Sequence, residues 1–576
     1  MSQVRDKEHL RRYYRWKEHP VVDEKTKKKL EEMEGEEEKI KELFSGNLEF
    51  GTGGMRGIIG PGSSRFNRYV VRRATQGIAN YLQDNYPEKE KKVALAYDPR
   101  YLSADTAEEA ALVLCANGIK SLLFDDIRPT PVLSFAIRYL ECVGGIVITA
   151  SHNPPEYNGF KVYTEDGGQC VPSVTETLVQ YIEKIDIFDD VHTMTRENAR
   201  SKGLLYFIGE EVDRAYLNKV KSLCTFQGEK EMHLVYTPLH GTGYPFVPRV
   251  LKELGYSGVH LVEEQLVPDP EFSTVKSPNP EEREAFSRAL KLAKQVEAEL
   301  VLATDPDCDR VGCGVRNKSG EYTLLSGNQI GALLLNYLLE RNYRAGTLPP
   351  DGVMIKTIVT GDLGKKIAED YGIRTEETLT GFKFIGEKIR EYEKQGDHQF
   401  IFGYEESYGY LAGTFARDKD GVVTSALLVD MASYYREQGI TLLEQLDNLY
   451  IRYGYYREEL DTFKLENTGV VDRILQGLKQ EMPSTIGEQQ VSEIKDYQEG
   501  LAICPVTNRE RELGLPRTSA LFFQLKDESW ACIRPSGTEP KMKIYYSSTG
   551  KTGKDAQKKL DSMKEDLGRR IQNYKK

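Results

Sequence analysis

The stretch "GGIVITASHNPPEYNGFKVY", Gly144–Tyr163, joins two apolar runs through a short polar loop. The first run ends at Thr149, and Ser151 and His152 follow almost at once. Two consecutive prolines then exclude both helix and regular sheet from the loop. Open α/β sheets bind ligands at loops that follow the ends of their strands. The stretch therefore predicts an α/β sheet with a constrained functional loop.

The same arrangement of strand, polar loop and strand recurs twice. It appears as "ELVLATDPDCDRVGCGV" at 299–315 and as "HQFIFGYEESYGYLAG" at 398–413. Amphipathic helical segments lie between the predicted strands, and this alternation is typical of α/β domains. We predict four domains, at residues 1–205, 206–318, 319–445 and 446–576. The charged first 45 residues favour helix and predict a solvated arm, with a partner-binding tail as the alternative.

Composition excludes several classes of function. A chain of 576 residues is too long for one hydrophobic core. Its net charge of −11 makes nucleic acid and acidic membranes poor partners. The eight cysteines form no C-x-x-C pair, which fits reduced thiols. No signal peptide and no apolar run of about 20 residues is present, so we expect a cytoplasmic protein.

The loop "DPDCDR" carries three carboxylates at alternate positions after a predicted strand. Asp305, Asp307 and Asp309 could converge on one hard cation such as Mg²⁺. An EF-hand is excluded, because its sixth and twelfth positions would be Arg310 and Arg316 instead of Gly and Glu. The alternative is a solvated acidic turn.

The loop "ASHNPP" does not match a serine hydrolase. Neighbouring side chains of an extended segment point to opposite sides, so His152 is a poor base for Ser151. The G-x-S-x-G pattern of a nucleophile elbow is also absent. If Ser151 instead carried a phosphoryl group, a cation held by the three aspartates would neutralise it. An ordinary turn before two prolines is the alternative.

Two further loops suit anions. The glycines of "GTGGMRG", at 51–57, could form a nest of backbone N–H groups beside Arg56, or a plain flexible turn. In "RPSGTEP", at 534–540, an Arg fork, two hydroxyls and a glycine suit a phosphate dianion, with a surface turn as the alternative. The residues concerned are Arg534, Ser536, Gly537 and Thr538.

The third predicted α/β domain carries groups suited to a sugar. Glu405 and Ser407 of "GYEES" could bond sugar hydroxyls, although a solvated acidic turn is equally consistent. Positive charge in the same domain comes from Lys383, Arg417 and Lys419.

Together these loops resemble the α-D-phosphohexomutase superfamily over nearly the whole chain, with the motifs in the family's order. "GYEESYGY" followed by "RDKDG" is most similar to bacterial phosphoglucomutases close to the phosphoglucomutase-2/phosphopentomutase branch. The resemblance implies an α/β fold of three related mixed α/β domains and a smaller C-terminal α+β domain around a central cleft. The expected partner is a small sugar phosphate.

The resemblance also implies roles for these residues. Ser151 would be the phosphoserine and would contact one Mg²⁺ held by Asp305, Asp307 and Asp309. Lys161 would be the acid/base, with Arg56, His152 and Arg310 in support. The substrate would contact Glu405, Ser407, Lys383, Arg417, Lys419, Arg534, Ser536, Gly537 and Thr538. The implied reaction interconverts glucose 1-phosphate and glucose 6-phosphate through glucose 1,6-bisphosphate. Phosphopentomutase, phosphomannomutase, glucose 1,6-bisphosphate synthase and a silent sugar-phosphate sensor are the alternatives.

Overall fold

The computed structural model describes residues 2–51, 53–535 and 541–575. They form two compact units. One unit contains the chain up to Gly327 together with Phe382–Gly439. The other contains Asn328–Gly381 and the chain from Ile440 onward.

The N-terminal arm is helical, as predicted, but one of its faces is buried. Tyr13 and Trp16, three residues apart on one helix, pack with Phe44, Tyr69 and Phe188 in an aromatic cluster. The expectation of a solvated arm was wrong, because a narrow aromatic stripe buries this face within a strongly charged sequence. The helices are α1 (Ser2–Glu18), α2 (Glu24–Glu31) and α3 (Glu37–Phe44).

A seven-stranded mixed sheet holds the Ser151 loop. Its order is β1-β2-β6-β5-β3-β4-β7, and the loop joins the antiparallel neighbours β5 and β6. The strands are β1 (Phe50–Gly51), β2 (Gly54–Ile58), β3 (Lys92–Tyr97), β4 (Lys120–Phe124), β5 (Gly144–Ile148), β6 (Tyr157–Thr164) and β7 (Leu205–Ile208). The helices are α4 (Arg68–Asn85), α5 (Ser103–Ala116), α6 (Thr130–Tyr139), α7 (Pro172–Glu183) and α8 (Arg196–Ser201).

A five-stranded sheet, of order β12-β11-β10-β8-β9, holds the "DPDCDR" loop. This loop also joins antiparallel neighbours, β10 and β11. The helices are α9 (Glu210–Leu223), α10 (Gly243–Glu253) and α11 (Ser287–Gln295). The strands are β8 (Leu234–Thr237), β9 (Val259–Leu261), β10 (Leu300–Thr304), β11 (Val311–Arg316) and β12 (Tyr322–Leu324).

The next part of the chain contributes to both units. The second unit contains α12 (Gly327–Ala345), β13 (Gly352–Thr357), α13 (Leu363–Asp370) and β14 (Arg374–Thr378). The first residue of α12, Gly327, belongs to the first unit. Strands β13 and β14 are parallel. In the first unit are α14 (Phe382–Gln395), β15 (Gln399–Glu405), β16 (Gly409–Ala412) and α15 (Gly421–Glu437). The "GYEES" loop joins β15 to its antiparallel neighbour β16.

The C-terminal part is an antiparallel sheet whose core is shared with two helices, which is the predicted α+β arrangement. The sheet order is β17-β24-β23-β22-β19-β20-β21, and β18 pairs with β19. The helices are α16 (Leu442–Tyr453), α17 (Thr468–Glu481) and α18 (Gly553–Lys575). The strands are β17 (Tyr455–Lys464), β18 (Thr485–Ile486), β19 (Gln489–Asp496), β20 (Leu501–Ile503), β21 (Glu510–Glu512), β22 (Leu521–Leu525), β23 (Trp530–Pro535) and β24 (Lys541–Gly550).

Within the part of the chain that the structure describes, no helix is both long and apolar enough to cross a membrane.

Trp16→Ala should destabilise the first unit by about 3–5 kcal/mol, because it removes a buried aromatic side chain from the arm's cluster. Thermal unfolding followed by circular dichroism measures the change. Tyr14→Ala, at an exposed neighbouring position, is the control and should cost about 1 kcal/mol or less. Equal midpoints for the two variants would show that the arm does not contribute to stability.

Candidate active site

Ser151 is held against the acidic loop. Its backbone is in the left-handed region, with a φ of 52°, and its N–H donates to Thr149 Oγ1 at 2.8 Å. Its hydroxyl donates to Asp305 Oδ2 at 2.7 Å, and the side chain is buried. The structure therefore brings together the two loops that the sequence singled out separately.

His152 lies closer to Ser151 than the sequence predicted. Its Nδ1 is 3.2 Å from Ser151 Oγ. The expectation that the two side chains point apart was wrong, because it assumed an extended backbone and Ser151 is left-handed. Burial and the positive charges of Arg310 and Arg56 lower the pKa of His152 to about 3. The imidazole is therefore neutral at neutral pH, and can exchange a hydrogen bond with the hydroxyl.

Arg100, which the sequence did not predict as a site residue, fixes the course of the Ser151 loop. Its Nη1 donates to the carbonyls of Pro154 and Tyr157 at 2.8 and 3.0 Å, and its Nη2 donates to the carbonyls of Ser151 and Asn153. The guanidinium is buried, so these four carbonyls receive donors that water does not supply. The position of Arg100 after β3 is a signal that could have identified it. Strand β3 is parallel to β5, so the segments that follow the two strands lie at the same edge of the sheet.

The three aspartates form one buried cluster. Each offers an oxygen, and these oxygens lie within 4.8 Å of one another. Asp305 Oδ1 accepts the backbone N–H groups of Asp309 and Arg310 at 3.1 and 3.0 Å, which curls the loop around this carboxylate. Cys308 has a φ of 52°, in the left-handed region that such a curl requires.

The donor set fits a hard divalent cation. Asp307 Oδ1 and Asp309 Oδ1 are buried and accept no hydrogen bond from any residue that the structure describes. Buried carboxylate oxygens without donors are costly unless a cation neutralises them. Carboxylate oxygens are also the ligands that Mg²⁺ prefers. The cluster can therefore hold a metal ion.

Two lysines offset the charge of this cluster. Lys161 Nζ, on β6, is 2.9 Å from Asp307 Oδ2 and 3.7 Å from Asp309 Oδ2. Lys419 Nζ is 3.1 Å from Asp309 Oδ2. Burial alone would lower the pKa of Lys161, but Asp307 and Asp309 outweigh it and raise the pKa. Burial, with Asp307 and Asp309 nearby, raises the pKa of Asp305 well above its ordinary range.

Two arginines connect the surrounding loops. Arg310 pairs with Glu281 and donates to the carbonyl of Ser407 at 3.1 Å, which ties the acidic loop to the "GYEES" loop. Arg56 Nη1 donates to Asn153 Oδ1 at 2.9 Å, beside Ser151. The structure thus places Arg56 beside the Ser151 loop and Arg310 between the acidic loop and the "GYEES" loop.

The glycine-rich loop has a packing function in its described part. Gly54 has a φ of 143°, and a Cβ there would lie 2.0 Å from the carbonyl oxygen of Phe160. A glycine is therefore needed for β2 to approach β6. An anion nest in this loop remains a prediction, and Thr52 lies outside the described residues.

The residues predicted to contact substrate lie in different parts of the fold, and some of them lie outside the described residues. Glu405 ends β15 and is buried, two residues before Ser407, whose carbonyl Arg310 binds. Lys383 lies on α14, with its ammonium 5.4 Å from the Phe384 ring centre, and Arg534 lies on β23 beside Tyr545. The predicted phosphate-binding residues outside the described part of the chain are Ser536, Gly537 and Thr538.

Arg417 contacts several groups of the surrounding fold. Its side chain is fully buried, pairs with Glu393 and donates to the carbonyl of Ala416 at 3.2 Å. Its backbone N–H donates to Ser134 Oγ at 2.8 Å. Arg417 Nε and Nη2 have no hydrogen-bond partner among the described residues, so a contact between Arg417 and substrate stays a prediction.

Three further residues, which the sequence did not predict as site residues, contact groups of the site or of its surroundings: Thr130, Tyr163 and Asp418. Thr130 donates its backbone N–H to the Asp307 carbonyl at 2.9 Å and its hydroxyl to Asp307 Oδ2 at 3.2 Å. Tyr163 donates to Asp418 Oδ2 at 2.7 Å. Asp418 had a sequence signal, because it lies inside "RDKDG". Thr130 and Tyr163 had none, because their partners, Asp307 and Asp418, lie far away in the sequence.

Arg100→Lys should loosen the Ser151 loop, because lysine keeps the charge but lacks the planar fork that serves four carbonyls. We expect a loss of about 2–4 kcal/mol in stability and faster amide exchange across 151–157. Hydrogen–deuterium exchange with mass spectrometry measures the rate of amide exchange both in the loop and in the rest of the domain. Arg196→Lys, which disrupts an exposed pair with Glu108, is the control and should leave the loop unchanged. Unaltered exchange in Arg100→Lys would contradict the assignment.

Comparison with known proteins identifies the family of the chain. Three family models match, each described as a phosphoglucomutase/phosphomannomutase alpha/beta/alpha domain: domain I at residues 47–188, domain II at 214–320 and domain III at 326–453. A phosphoglucomutase of Staphylococcus haemolyticus is 39% identical over 507 residues, which cover 88% of this chain and 91% of the relative. One of Staphylococcus epidermidis is 36% identical over 532 residues, which cover 92% and 95%.

A solved structure supports the fold. The open form of the phosphoglucomutase parafusin from Paramecium has a TM-score of 0.70 at 18% identity and covers 92% of this chain and 95% of its own. The predicted class of three α/β domains and a C-terminal α+β domain is confirmed. The family models and the relatives together confirm the superfamily that the motifs predicted. The chain belongs to the phosphoglucomutase/phosphomannomutase family, within the α-D-phosphohexomutase superfamily.

Proposed function

We propose that the chain is a phosphoglucomutase that interconverts α-D-glucose 1-phosphate and glucose 6-phosphate. The observation that carries the proposal is the 2.7 Å contact between Ser151 Oγ and Asp305 Oδ2 in the acidic cluster. A phosphoryl group on Ser151 adds up to two negative charges beside three carboxylates. Such a site requires a cation, and the cluster has the oxygen donors to hold one.

Asp305, Asp307 and Asp309 would hold one Mg²⁺ per chain, next to the phosphorylated Ser151. When bound, the ion supplies positive charge that stabilises the transferring phosphoryl group. Arg56 would add positive charge near Ser151, through its place beside Asn153.

Lys161 is the proposed group that exchanges a proton with the sugar hydroxyl. Its Nζ contacts Asp307 Oδ2 at 2.9 Å, so the ammonium is held next to the acidic cluster. In the first step the oxygen of the sugar hydroxyl bonds to phosphorus as the bond from phosphorus to Ser151 Oγ breaks, and its proton would pass to Lys161 in the neutral amine form. In the second step Ser151 Oγ takes the other phosphoryl group from the sugar, and Lys161 would return the proton to the sugar oxygen that leaves. One lysine can serve both steps, because the second is the reverse of the first.

The substrate side of the proposal concerns the sugar and its second phosphate. Glu405 and Ser407 would bond ring hydroxyls, and Lys383 and Lys419 would add positive charge. The non-reacting phosphate would be bound by Arg534, Ser536, Gly537 and Thr538. Glucose 1,6-bisphosphate would form after the first transfer and turn around before the second. One set of contacts suffices, since each end of the sugar occupies it in turn.

Ser151→Ala should remove phosphoglucomutase activity by on the order of 10³-fold or more, because no phosphoryl carrier remains. A coupled assay that detects glucose 6-phosphate measures this, and intact-protein mass spectrometry should find one phosphate on the natural chain and none on the variant. Ser134→Ala, at a buried serine that bonds the Gly167 carbonyl, controls for the loss of a hydroxyl. Full activity in Ser151→Ala would end the proposal.

The same assay distinguishes the related activities. Glucose 1-phosphate, mannose 1-phosphate and ribose 1-phosphate should be compared by kcat/KM at saturating glucose 1,6-bisphosphate. We expect glucose 1-phosphate to be preferred by roughly 5- to 150-fold, since an acceptor such as Glu405 left without its hydroxyl costs about 1–3 kcal/mol. A higher kcat/KM for ribose or mannose 1-phosphate would reassign the chain to phosphopentomutase or phosphomannomutase. Turnover of any of these sugars would exclude a silent sensor.

Chelation should abolish turnover, and added Mg²⁺ should restore it. Calorimetry should show one Mg²⁺ site per chain in the natural protein. Asp307→Asn should weaken that binding at least about tenfold, because it removes one anionic ligand. Asp447→Asn, at an exposed position on α16, is the control. Unchanged Mg²⁺ affinity in Asp307→Asn would place the metal elsewhere.

A further inference from the structure

Lys419 is held in one position by its surroundings. Its ammonium lies 3.1 Å from Asp309 Oδ2 and 3.1 Å from Asp418 Oδ1. Its aliphatic stem crosses Gly409 on β16, where a Cβ would lie 2.2 Å from Lys419 Cδ. Any side chain at position 409 would displace the lysine. The glycine of "ESYGY" therefore leaves a channel for Lys419 to reach the acidic cluster.

Asp418 connects Lys419 to β6. One of its oxygens faces the ammonium of Lys419, and the other accepts the hydroxyl of Tyr163 at 2.7 Å. Tyr163 follows Lys161 by two residues on the same strand, so the two side chains lie on the same face. Lys161 in turn contacts Asp309 at 3.7 Å. The contacts form a closed ring that starts and ends on β6.

The two carboxylates that contact Lys419 are not equivalent. Asp309 belongs to the cluster proposed to hold the metal, and an ion there would share its charge. Asp418 does not belong to that cluster, and its second carboxylate oxygen accepts a hydrogen bond from Tyr163. A buried ammonium needs an anionic partner, and losing one is costly. Asp418 is therefore the partner that holds Lys419 whether or not the cluster is occupied.

We propose that Asp418 and Tyr163 are positioning residues, which hold the Lys419 ammonium beside the acidic cluster so that it contacts the phosphoryl group in transit. This inference rests on the proposed mutase function. Neither residue touches substrate, and both act through Lys419.

Tyr163→Phe tests the proposal by removing one hydroxyl from a buried ring. We expect kcat for glucose 1-phosphate to fall about tenfold, which corresponds to about 1.4 kcal/mol. Tyr216→Phe is the matched control. Tyr216 is equally buried and donates to Asp420 at 2.7 Å in the same segment, and the structure shows no contact between this pair and the Lys419 ammonium. Both variants should lose similar stability, but Tyr216→Phe should keep kcat within about twofold.

A double-mutant cycle separates positioning from a general structural effect. In a Lys419→Met background, Tyr163→Phe and Asp418→Asn should each change kcat by less than about twofold, because the lysine through which they act is gone. Single-turnover loss of phosphate from the phosphorylated enzyme, followed by mass spectrometry, gives the rate even where steady-state turnover is slow. An equal effect of Tyr163→Phe with and without Lys419 would overturn the proposal.

The outcomes also separate this inference from the proposed function. A natural chain without mutase activity on any sugar phosphate would refute the function itself. An active natural chain, with Tyr163→Phe and Tyr216→Phe indistinguishable in kcat, would refute only the positioning role.

Discussion

Three carboxylates withdrawn from water in one five-residue loop are the constraint on which the first unit depends. Asp305, Asp307 and Asp309 are all buried. Taking each charge out of water costs several kcal/mol unless opposite charge and hydrogen-bond donors replace it. The replacements come from separate parts of the chain, namely Lys161 on β6 and Lys419 before α15. The charge balance therefore joins the three segments that the proposed reaction needs.

Hydrogen bonding to the backbone makes the site rigid before any ligand arrives. Arg100 binds four carbonyls of the Ser151 loop, and Asp305 binds two backbone N–H groups of its own loop. These contacts fix Ser151 Oγ at 2.7 Å from Asp305, because the buried guanidinium of Arg100 is itself held by its four carbonyl partners. A preset geometry suits phosphoryl transfer, in which positioning and electrostatic stabilisation provide most of the catalysis.

Small residues have a defined place in this arrangement. Gly54 allows β2 to approach the Phe160 carbonyl, and Gly409 leaves the space that the Lys419 stem occupies. A side chain at position 54 would push β2 away from β6, and a side chain at position 409 would displace the buried side chain of Lys419. Gly54 of "GTGGMRG" and Gly409 of "ESYGY" thus shape the site through packing.

The sequence by itself determined the α/β class, the loops at strand ends, the aspartate cluster and the family, because these follow from local apolar runs and short contiguous motifs. Only the tertiary structure decided which distant side chains serve those loops. Arg100 reaches Ser151 across 51 residues, and Tyr163 reaches Asp418 across 255. The sequence likewise did not predict the buried face of the N-terminal arm, the contact of His152 with Ser151 or the pairing of Arg417 with Glu393. Such contacts depend on how elements pack and on single left-handed residues, and no local sequence pattern encodes either.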